Sequence, residues 1–267
     1  MSLKRFPSFC TCARLVAILA AGTGVAQAAD RYEGTAFDRS GHVAYRETHW
    51  RYAEDGTQRR LVLYRCADGS PFARKQMHWV SATEASPDFD FLDQRDGYRE
   101  GLVSSPAGRQ VYWQPNAAQA QQRKPVRLGT DAVADAGFDS FIRRHWDALS
   151  AGRSIRTAFL LPADFDLVPV VIRLAQRSPS AGRSSDVTFS IELDRWYAFA
   201  APGISVTYDR DGRSLREFDG AVTIRDYRGR RQVARVEFLD SGRGIAASPD
   251  DIAAAIAAPL VARCAGS

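Results

Sequence analysis

Three histidine–tryptophan pairs carry the side chains best suited to chemistry, because imidazole can bind a metal or move a proton near neutral pH. The pairs are His49-Trp50, His78-Trp79 and His145-Trp146. Neighbouring residues of a strand point to opposite faces, so a strand-borne histidine and its tryptophan cannot enter one pocket. Another strand separates those of His49 and His78, which places the two side chains roughly 10 Å apart. We therefore predict structural roles for the histidines and no metal site.

Local signatures of catalysis are absent from the sequence, which contains no G-x-S-x-G, H-E-x-x-H or C-x-x-C motif, no P-loop and no G-x-G-x-x-G after a strand. The acidic run at 88–96 lacks the spacing of an EF-hand, which needs Gly at its sixth position and Glu at its twelfth. We predict a solvated loop at 84–96 with apolar anchors such as Phe89. The sequence predicts no catalytic residue, no cofactor and a non-enzymatic protein; a cryptic hydrolase using one of the histidines, to be tested at His145, is a further alternative.

Hairpins are the elements that must position these side chains. After residue 30, alternating or apolar runs are followed by turns that contain Asp and Gly, a pair suited to the positive φ of tight turns. About twelve strands are predicted, near residues 31–37, 43–53, 59–66, 72–82, 97–104, 109–114, 154–161, 167–177, 186–194, 204–209, 213–225 and 231–239. Short turns join neighbouring strands, so we predict a mainly β fold: a long antiparallel meander forming a curved sheet or half-barrel.

The two halves of the predicted sheet differ in their alternation. In the second half, the strand at 186–194 places Val187, Phe189, Ile191 and Leu193 on one face and polar residues on the other, as expected for one core face and one solvent face. In the first half, the strand from Val43 carries mixed residues on both faces; one face holds Tyr45, Glu47, His49 and Arg51. Such a face lines a wet, aromatic concavity or is a solvated sheet face, and the sequence leaves both readings open.

A central helix interrupts the strands at "GFDSFIRRHWDALSAGR", residues 137–153. Its apolar stripe consists of Phe138, Phe141, Ile142, Trp146 and Leu149. A stripe with three aromatic residues must be covered, so we predict that this helix lies on the sheet as a lid or plug. A second, C-terminal helix is predicted to begin at Ser248 and Pro249, since a capping Ser followed by Pro and two acids is typical of a helix start.

The first 28 residues have the pattern of a secretory signal peptide, with basic residues, an apolar run of about 11 residues and Ala-Gln-Ala before the cleavage point. We predict a single β-rich domain at 29–267, periplasmic, with no transmembrane segment because no run reaches the roughly 20 apolar residues required. Removing the leader removes three basic and no acidic residues, which lowers the net charge from +5 to +2. That balance argues against a nucleic-acid partner.

Two cysteines, Cys66 and Cys264, remain after the leader. In an oxidising compartment such a pair is more often bonded than free, so we predict a disulfide. It would close a loop of about 200 residues, for which the chain-entropy estimate is on the order of 5 kcal/mol.

An exported antiparallel meander with helices over one face resembles the half-barrel of the LolA-like periplasmic lipoprotein carriers. The segments "YEGTAFDRSGHVAYRETHWRY" and "ISVTYDRDGRSLREFDGAVTIRD" are also similar to uncharacterised exported proteins of Gram-negative bacteria. This resemblance implies a curved sheet around an apolar cavity that helices close. It covers residues 31–239 as architecture and transfers no functional residue.

We therefore predict a carrier that holds an apolar ligand, a lipid or acyl chain, between the sheet and the helix. The predicted ligand-binding residues are Tyr45, Trp50, Trp79, Trp113, Phe141 and Trp146. The alternative is a structural or assembly factor of the envelope that contacts other envelope proteins and has no ligand cavity.

Overall fold

The computed structural model describes residues 29–79, 81, 84–175, 186–194, 203–226, 228–238 and 244–265. The predicted signal peptide, residues 1–28, lies outside the described residues, so it stays a prediction. The strands are β1 (Asp30–Phe37), β2 (Val43–Glu54), β3 (Thr57–Arg65), β4 (Pro71–Trp79), β5 (Asp88–Asp93), β6 (Tyr98–Ser105), β7 (Gly108–Gln114), β8 (Gln122–Pro125), β9 (Ile155–Leu161), β10 (Asp166–Leu174), β11 (Asp186–Leu193), β12 (Ile204–Asp209), β13 (Leu215–Arg225), β14 (Arg231–Glu237) and β15 (Ile245–Ala246). The helices are α1 (Gly137–Arg144), α2 (Trp146–Ser150) and α3 (Pro249–Ala257).

All of these strands belong to one antiparallel sheet, which confirms the predicted mainly β fold with a curved sheet. The strands β1 to β8 form one meander and β9 to β14 form another. The two meanders meet where β1 pairs with β14, with Thr35 opposite Glu237. The order across the sheet is therefore β8 to β1 followed by β14 to β9, and the short β15 pairs with β1.

The hairpin turns follow the predicted chemistry. Between β2 and β3, Asp55 and Gly56 have φ of 50° and 73°. Positive φ at both central residues is the geometry of a type I′ turn, whose twist matches that of the flanking strands. Local turn chemistry is thus sufficient to explain the register of this hairpin, in which Glu54 pairs with Thr57.

The predicted loop at 84–96 is wrong in its central part, because residues 88–93 form β5. This strand pairs with β4 and β6, and Phe89 and Phe91 are buried on its inner face. Acidic residues alternate with these aromatic residues, so the sequence pattern indicates a loop where the chain forms a strand. Asp88 is accommodated because its carboxylate accepts hydrogen bonds from Arg109 and from the Ser104 backbone at 2.7 and 2.6 Å.

The sheet curls until its two ends approach each other. Trp113 of β7 contacts Phe165, in the β9–β10 turn, edge-on at 6.4 Å. Lys124 of β8 lies 4.6 Å from the same ring. The segment before α1 also joins the β9 edge, where Val133 bridges to Phe159. Among the described residues, no helix is long and apolar enough to cross a membrane.

The predicted central helix is present as two consecutive helices, α1 and α2, which meet at His145. The apolar stripe continues across the junction, and Phe141 and Trp146 pack against the inner face of β10 to β12. Trp146 makes edge contacts with Phe189 and Tyr208 at 5.4 and 5.7 Å. Gly152 ends the helical segment with φ of 85°, as its position predicts.

The C-terminal helix α3 packs on the outer face of the first meander. Ser248 caps it and forms a capping box with Asp251. Ile252 and Ala255 of α3 cluster with apolar side chains of β2 and β3. Beyond the helix, Cys264 is bonded to Cys66 at the end of β3, with the two Cα atoms 5.5 Å apart.

Candidate ligand-binding cavity

The curled sheet borders a partly open cavity of about 750 Å³ between the inner faces of the two meanders. Small-molecule sites in proteins are typically clefts of about 300–1,000 Å³. The cavity is bordered by Asp135 and Ala136, which precede α1, and by Phe138 and Asp139 of its first turn. Phe141 and Trp146 lie in the packed layer beside it. The central helix therefore has two parts, one closing the cavity and one filling the core.

One wall of the cavity is apolar and comes mainly from the second meander and α1. The clean alternation of β9 to β12 turns their aliphatic and aromatic side chains inward. The principal residues of this apolar wall are Phe138, Phe159, Val168, Val170, Ile191, Leu193, Ile204, Leu215 and Phe218. Phe138 and Phe218 contact each other with ring centroids 5.9 Å apart.

The opposite wall is charged and comes mainly from the first meander. Inward-facing positions of β2, β4 and β6 bury Glu47, His49, Lys75 and Glu100, each less than a tenth exposed. Ionisable groups at such burial need partners, because transfer of an unpaired charge out of water is costly. This charged wall is therefore built as a set of contacts between acids and bases.

Three ion pairs place each cation of the charged wall against a carboxylate. Lys75 Nζ lies 2.6 Å from Asp135 Oδ2. The Arg231 guanidinium lies 3.5 Å from Glu100. A longer contact of 3.9 Å joins Arg60 to Asp139 at the start of α1.

The remaining buried carboxylate, Glu47, has a histidine as its partner. Glu47 Oε2 and His49 Nε2 are 2.7 Å apart, and the imidazole stacks on Tyr32 with ring centroids 4.6 Å apart. Burial lowers the pKa of His49, although the hydrogen bond to Glu47 acts in the opposite direction. In the described part of the chain, the buried His49 Nδ1 has no hydrogen-bond partner.

Burial also shifts the titration of other groups on this wall. It raises the pKa of Glu100, a shift that the nearby Arg231 opposes. Tyr98 donates a hydrogen bond to Glu100 at 2.5 Å. Desolvation raises the pKa of Tyr45 and Tyr64 well above the ordinary value, so both phenols remain neutral.

The six predicted ligand-binding residues lie in four places. Tyr45 lines the cavity. Trp50 lies on the outer face of the sheet under α3. Trp79 and Trp113 pack in apolar clusters beside the cavity, and Phe141 and Trp146 belong to the core between the central helices and the sheet. The binding role of these six residues stays a prediction. Of the six, Tyr45 is the one that also lines the cavity.

Sequence reasoning missed Arg60, Lys75 and Glu100 as cavity residues. Each lies on a strand whose two faces both carry polar residues, so the pattern does not show which face points inward. For β2, the mixed aromatic and polar face with Tyr45 and Glu47 indicated either a wet concavity or a solvated sheet face. This face lines a concavity.

The histidines occupy separate positions, as the strand order predicts. His49 lies on β2 and His78 on β4, with β3 between them. His78 Nε2 lies 3.5 Å from Asp88, and His145 lies 4.5 Å from the Phe141 ring. Across the described ranges, no group of three or more His, Cys, Asp or Glu side chains is arranged to hold a metal ion.

The curled sheet and its cavity define a mainly β protein built from a single curved antiparallel sheet. A solved structure similar to this chain is a beta-barrel-like protein of domain of unknown function DUF1849 from Brucella abortus. It is 13% identical, with 79% of this chain and 97% of that chain covered and a TM-score of 0.35. No protein-family model and no curated protein matches the sequence.

Proposed function

We propose that this protein is a periplasmic, non-enzymatic carrier that holds a lipid or acyl chain in its cavity, in the manner of the LolA-like half-barrels. The observation that carries the proposal is the 750 Å³ cavity with its apolar wall. Burial of an apolar chain there is favourable by about 25 cal/mol per Å² of surface removed from water.

Two further features support a carrier. The cavity is partly open, so a ligand can enter without unfolding the sheet. The predicted signal peptide would deliver the protein to the envelope, where lipids are the abundant apolar molecules. Tyr45 and the side chains of the apolar wall would contact the ligand.

The test is mass spectrometry of organic extracts from protein purified from the envelope without detergent. We expect lipid in extracts of the wild-type protein. Val168 lies on the apolar wall, and Val168→Trp adds an indole to the space that the ligand occupies. This variant should reduce bound lipid by at least about tenfold, because a filled site cannot accept a chain.

The matched control is Val43→Trp, which adds the same bulk at an exposed position of β2. It should retain lipid at the wild-type level. Lipid-free extracts from the wild-type protein, or equal lipid in both variants, would overturn the carrier proposal. If the protein is lipid-free and can be crosslinked to envelope proteins, the alternative function of an envelope assembly factor is favoured.

A further inference from the structure

We propose that the cavity binds amphiphiles with a carboxylate head group, such as fatty acids, and holds the carboxylate at the Arg60 guanidinium. This inference rests on the proposed carrier function and names its ligand class. Arg60 lies on β3, and its side chain lines the cavity. The alkyl chain would follow the apolar wall, and the head group would meet a cation whose pairing within the protein is incomplete.

The charges around the cavity are balanced in number, so preference for a head group must arise at one place within it. Five carboxylates line the cavity, from Glu47, Glu100, Asp135, Asp139 and Glu192. Three fixed cations line it, from Arg60, Lys75 and Arg231. Asp139 also pairs with Arg143 at 2.9 Å, and Glu192 pairs with Arg173 at 3.7 Å. The three remaining carboxylates equal the three lining cations in number.

Arg60 is the least completely paired of these three cations. Lys75 and Arg231 face carboxylates of their own at 2.6 and 3.5 Å. Arg60 shares Asp139 with Arg143, and its 3.9 Å contact is too long for a hydrogen bond. Within the part of the chain that the structure describes, the buried Arg60 Nε has no hydrogen-bond partner.

An under-paired guanidinium favours an anionic acceptor. Buried polar groups are normally hydrogen-bonded, and a buried charge needs a partner most of all. The Trp79 ring, 5.4 Å from the guanidinium, offers its π face to the charge. A carboxylate fits the planar fork of a guanidinium with two hydrogen bonds, whereas an ammonium has donors only and would meet Arg60 as a like charge. The Arg60 side chain is 16% exposed, so a ligand in the cavity can reach it.

A small recess strengthens the positive charge at this place. The recess, of about 20 Å³, adjoins the cavity and is lined by three arginines, Arg51, Arg60 and Arg143. Arg51 pairs with Asp30 at 2.6 Å, and the other two arginines share Asp139. Three cations therefore face two carboxylates here, which leaves one positive charge for a ligand to neutralise.

The location of Arg60 also fits the shape of an amphiphile. Leu215 lines both the recess and the cavity and belongs to the apolar wall, so an alkyl chain can run along this wall from a carboxylate at Arg60. Glu47 lies four positions along β2 from Arg51, the residue opposite Arg60, which separates the strand positions by roughly 13 Å. The head group is therefore held away from this buried acid.

The test compares one alkyl chain with three head groups: laurate, monolauroyl glycerol and laurylamine. Binding to the delipidated protein is measured by calorimetry near neutral pH, below the micelle concentration of each probe. We expect laurate to bind at least about tenfold more tightly than monolauroyl glycerol, and laurylamine to bind more weakly than either. Equal affinities, or a preference for the glyceride or the amine, would overturn the inference and leave the carrier function standing. Failure of all three probes to bind would overturn both.

Substitution of Arg60 tests the assignment of the site. Arg60→Gln removes the charge and should weaken laurate binding by at least about tenfold, while the affinity for monolauroyl glycerol changes by less than about threefold. The matched control is Arg59→Gln: Arg59 is the neighbouring residue of β3, points to the opposite face and lies outside the cavity lining, so both affinities should be unchanged. Equal loss of laurate binding in the two variants, or no loss in Arg60→Gln, would overturn the assignment. If Arg60→Gln does not fold, the wild-type preference between laurate and the glyceride alone decides.

Discussion

The Glu47–His49 pair links ionisation to folding at the scale of single residues. Both side chains are buried on the charged wall, and the imidazole is enclosed by Tyr32 and Phe238, with ring centroids 4.6 and 5.5 Å away. Burial lowers the pKa of His49, so the folded protein resists a proton that the unfolded chain accepts. Acidification must therefore cost stability at this position.

This linkage predicts a difference between the wild-type protein and His49→Gln. Because the folded pKa lies below the unfolded value of 6.5, the contribution of His49 to stability is present above pH 6.5 and is lost as pH falls toward the folded pKa. As the pH is lowered, the free energy of unfolding of the wild type should therefore decrease more steeply than that of His49→Gln, by up to about 1.4 kcal/mol per pH unit. Urea titrations at several pH values between neutral and mildly acidic measure both slopes, and parallel slopes would contradict the prediction.

From the sequence one could predict which side chains of β2 share a face, but not which side chains of other strands they meet in the folded protein. Alternation along β2 groups Tyr45, Glu47 and His49 on one face. Their ionic neighbours come from strands that pattern alone leaves ambiguous. Lys75 reaches Asp135 across 60 positions of chain, and such a partner depends on how far the sheet curls.

At the scale of elements, α1 and α2 combine two functions in one apolar stripe. Phe138, in the first turn, lines the cavity and is half-buried. Trp146, two turns later, is enclosed by the aromatic rings of β11 and β12. The same stripe therefore has a cavity end and a core end.

Alanine substitutions separate these two ends. Trp146→Ala removes a packed side chain and should lower the free energy of unfolding by about 3–5 kcal/mol. Phe138→Ala should cost less than about 2 kcal/mol, because this ring already faces an open space. Denaturant titrations of both variants provide the comparison, and equal losses would show that the cavity end is packed as tightly as the core end.

Helical periodicity predicted the stripe and its location on the sheet, because those depend on local spacing. It did not predict the interruption at His145, where φ of −101° and ψ of 13° depart from helical values. The alternation of acids and phenylalanines at 88–93 likewise did not reveal β5, because acidic residues are more typical of a loop. Asp88 is accommodated in the strand only because Arg109 and the Ser104 backbone, which are distant in sequence, donate hydrogen bonds to it.

At the scale of the whole molecule, the disulfide connects the end of the chain to the first meander. The Cys66–Cys264 bond spans 198 positions and fixes the segment after α3 against the end of β3. A hydrogen bond from Val261 N to Pro71 O, 2.8 Å long, holds the same segment to β4. The outer layer is thus attached both covalently and by the backbone.

Removing both sulfurs tests the contribution of this bond. Cys66→Ala/Cys264→Ala should lower the free energy of unfolding by about 2–5 kcal/mol, since the unfolded chain is no longer constrained. Thermal denaturation with and without reductant gives the control. Reduced wild-type protein should melt near the double variant, and the variant should not respond to reductant. Unchanged melting of the variant would exclude a stabilising role.

Turn chemistry and alternation predicted a curved antiparallel sheet, since both are local. The pairing of β1 with β14 is not local: it joins residues about two hundred positions apart, and hairpin signals carry no information on it.

This pairing also governs how the protein folds. Each meander can form from neighbouring hairpins, but the join between them requires the closure of a very long loop, and such contacts form slowly. Until β14 arrives, β1 has one edge without its long partner, and open edges of this kind promote association between chains. The cavity therefore comes into existence late in folding, after nearly every strand of the sheet has been synthesised.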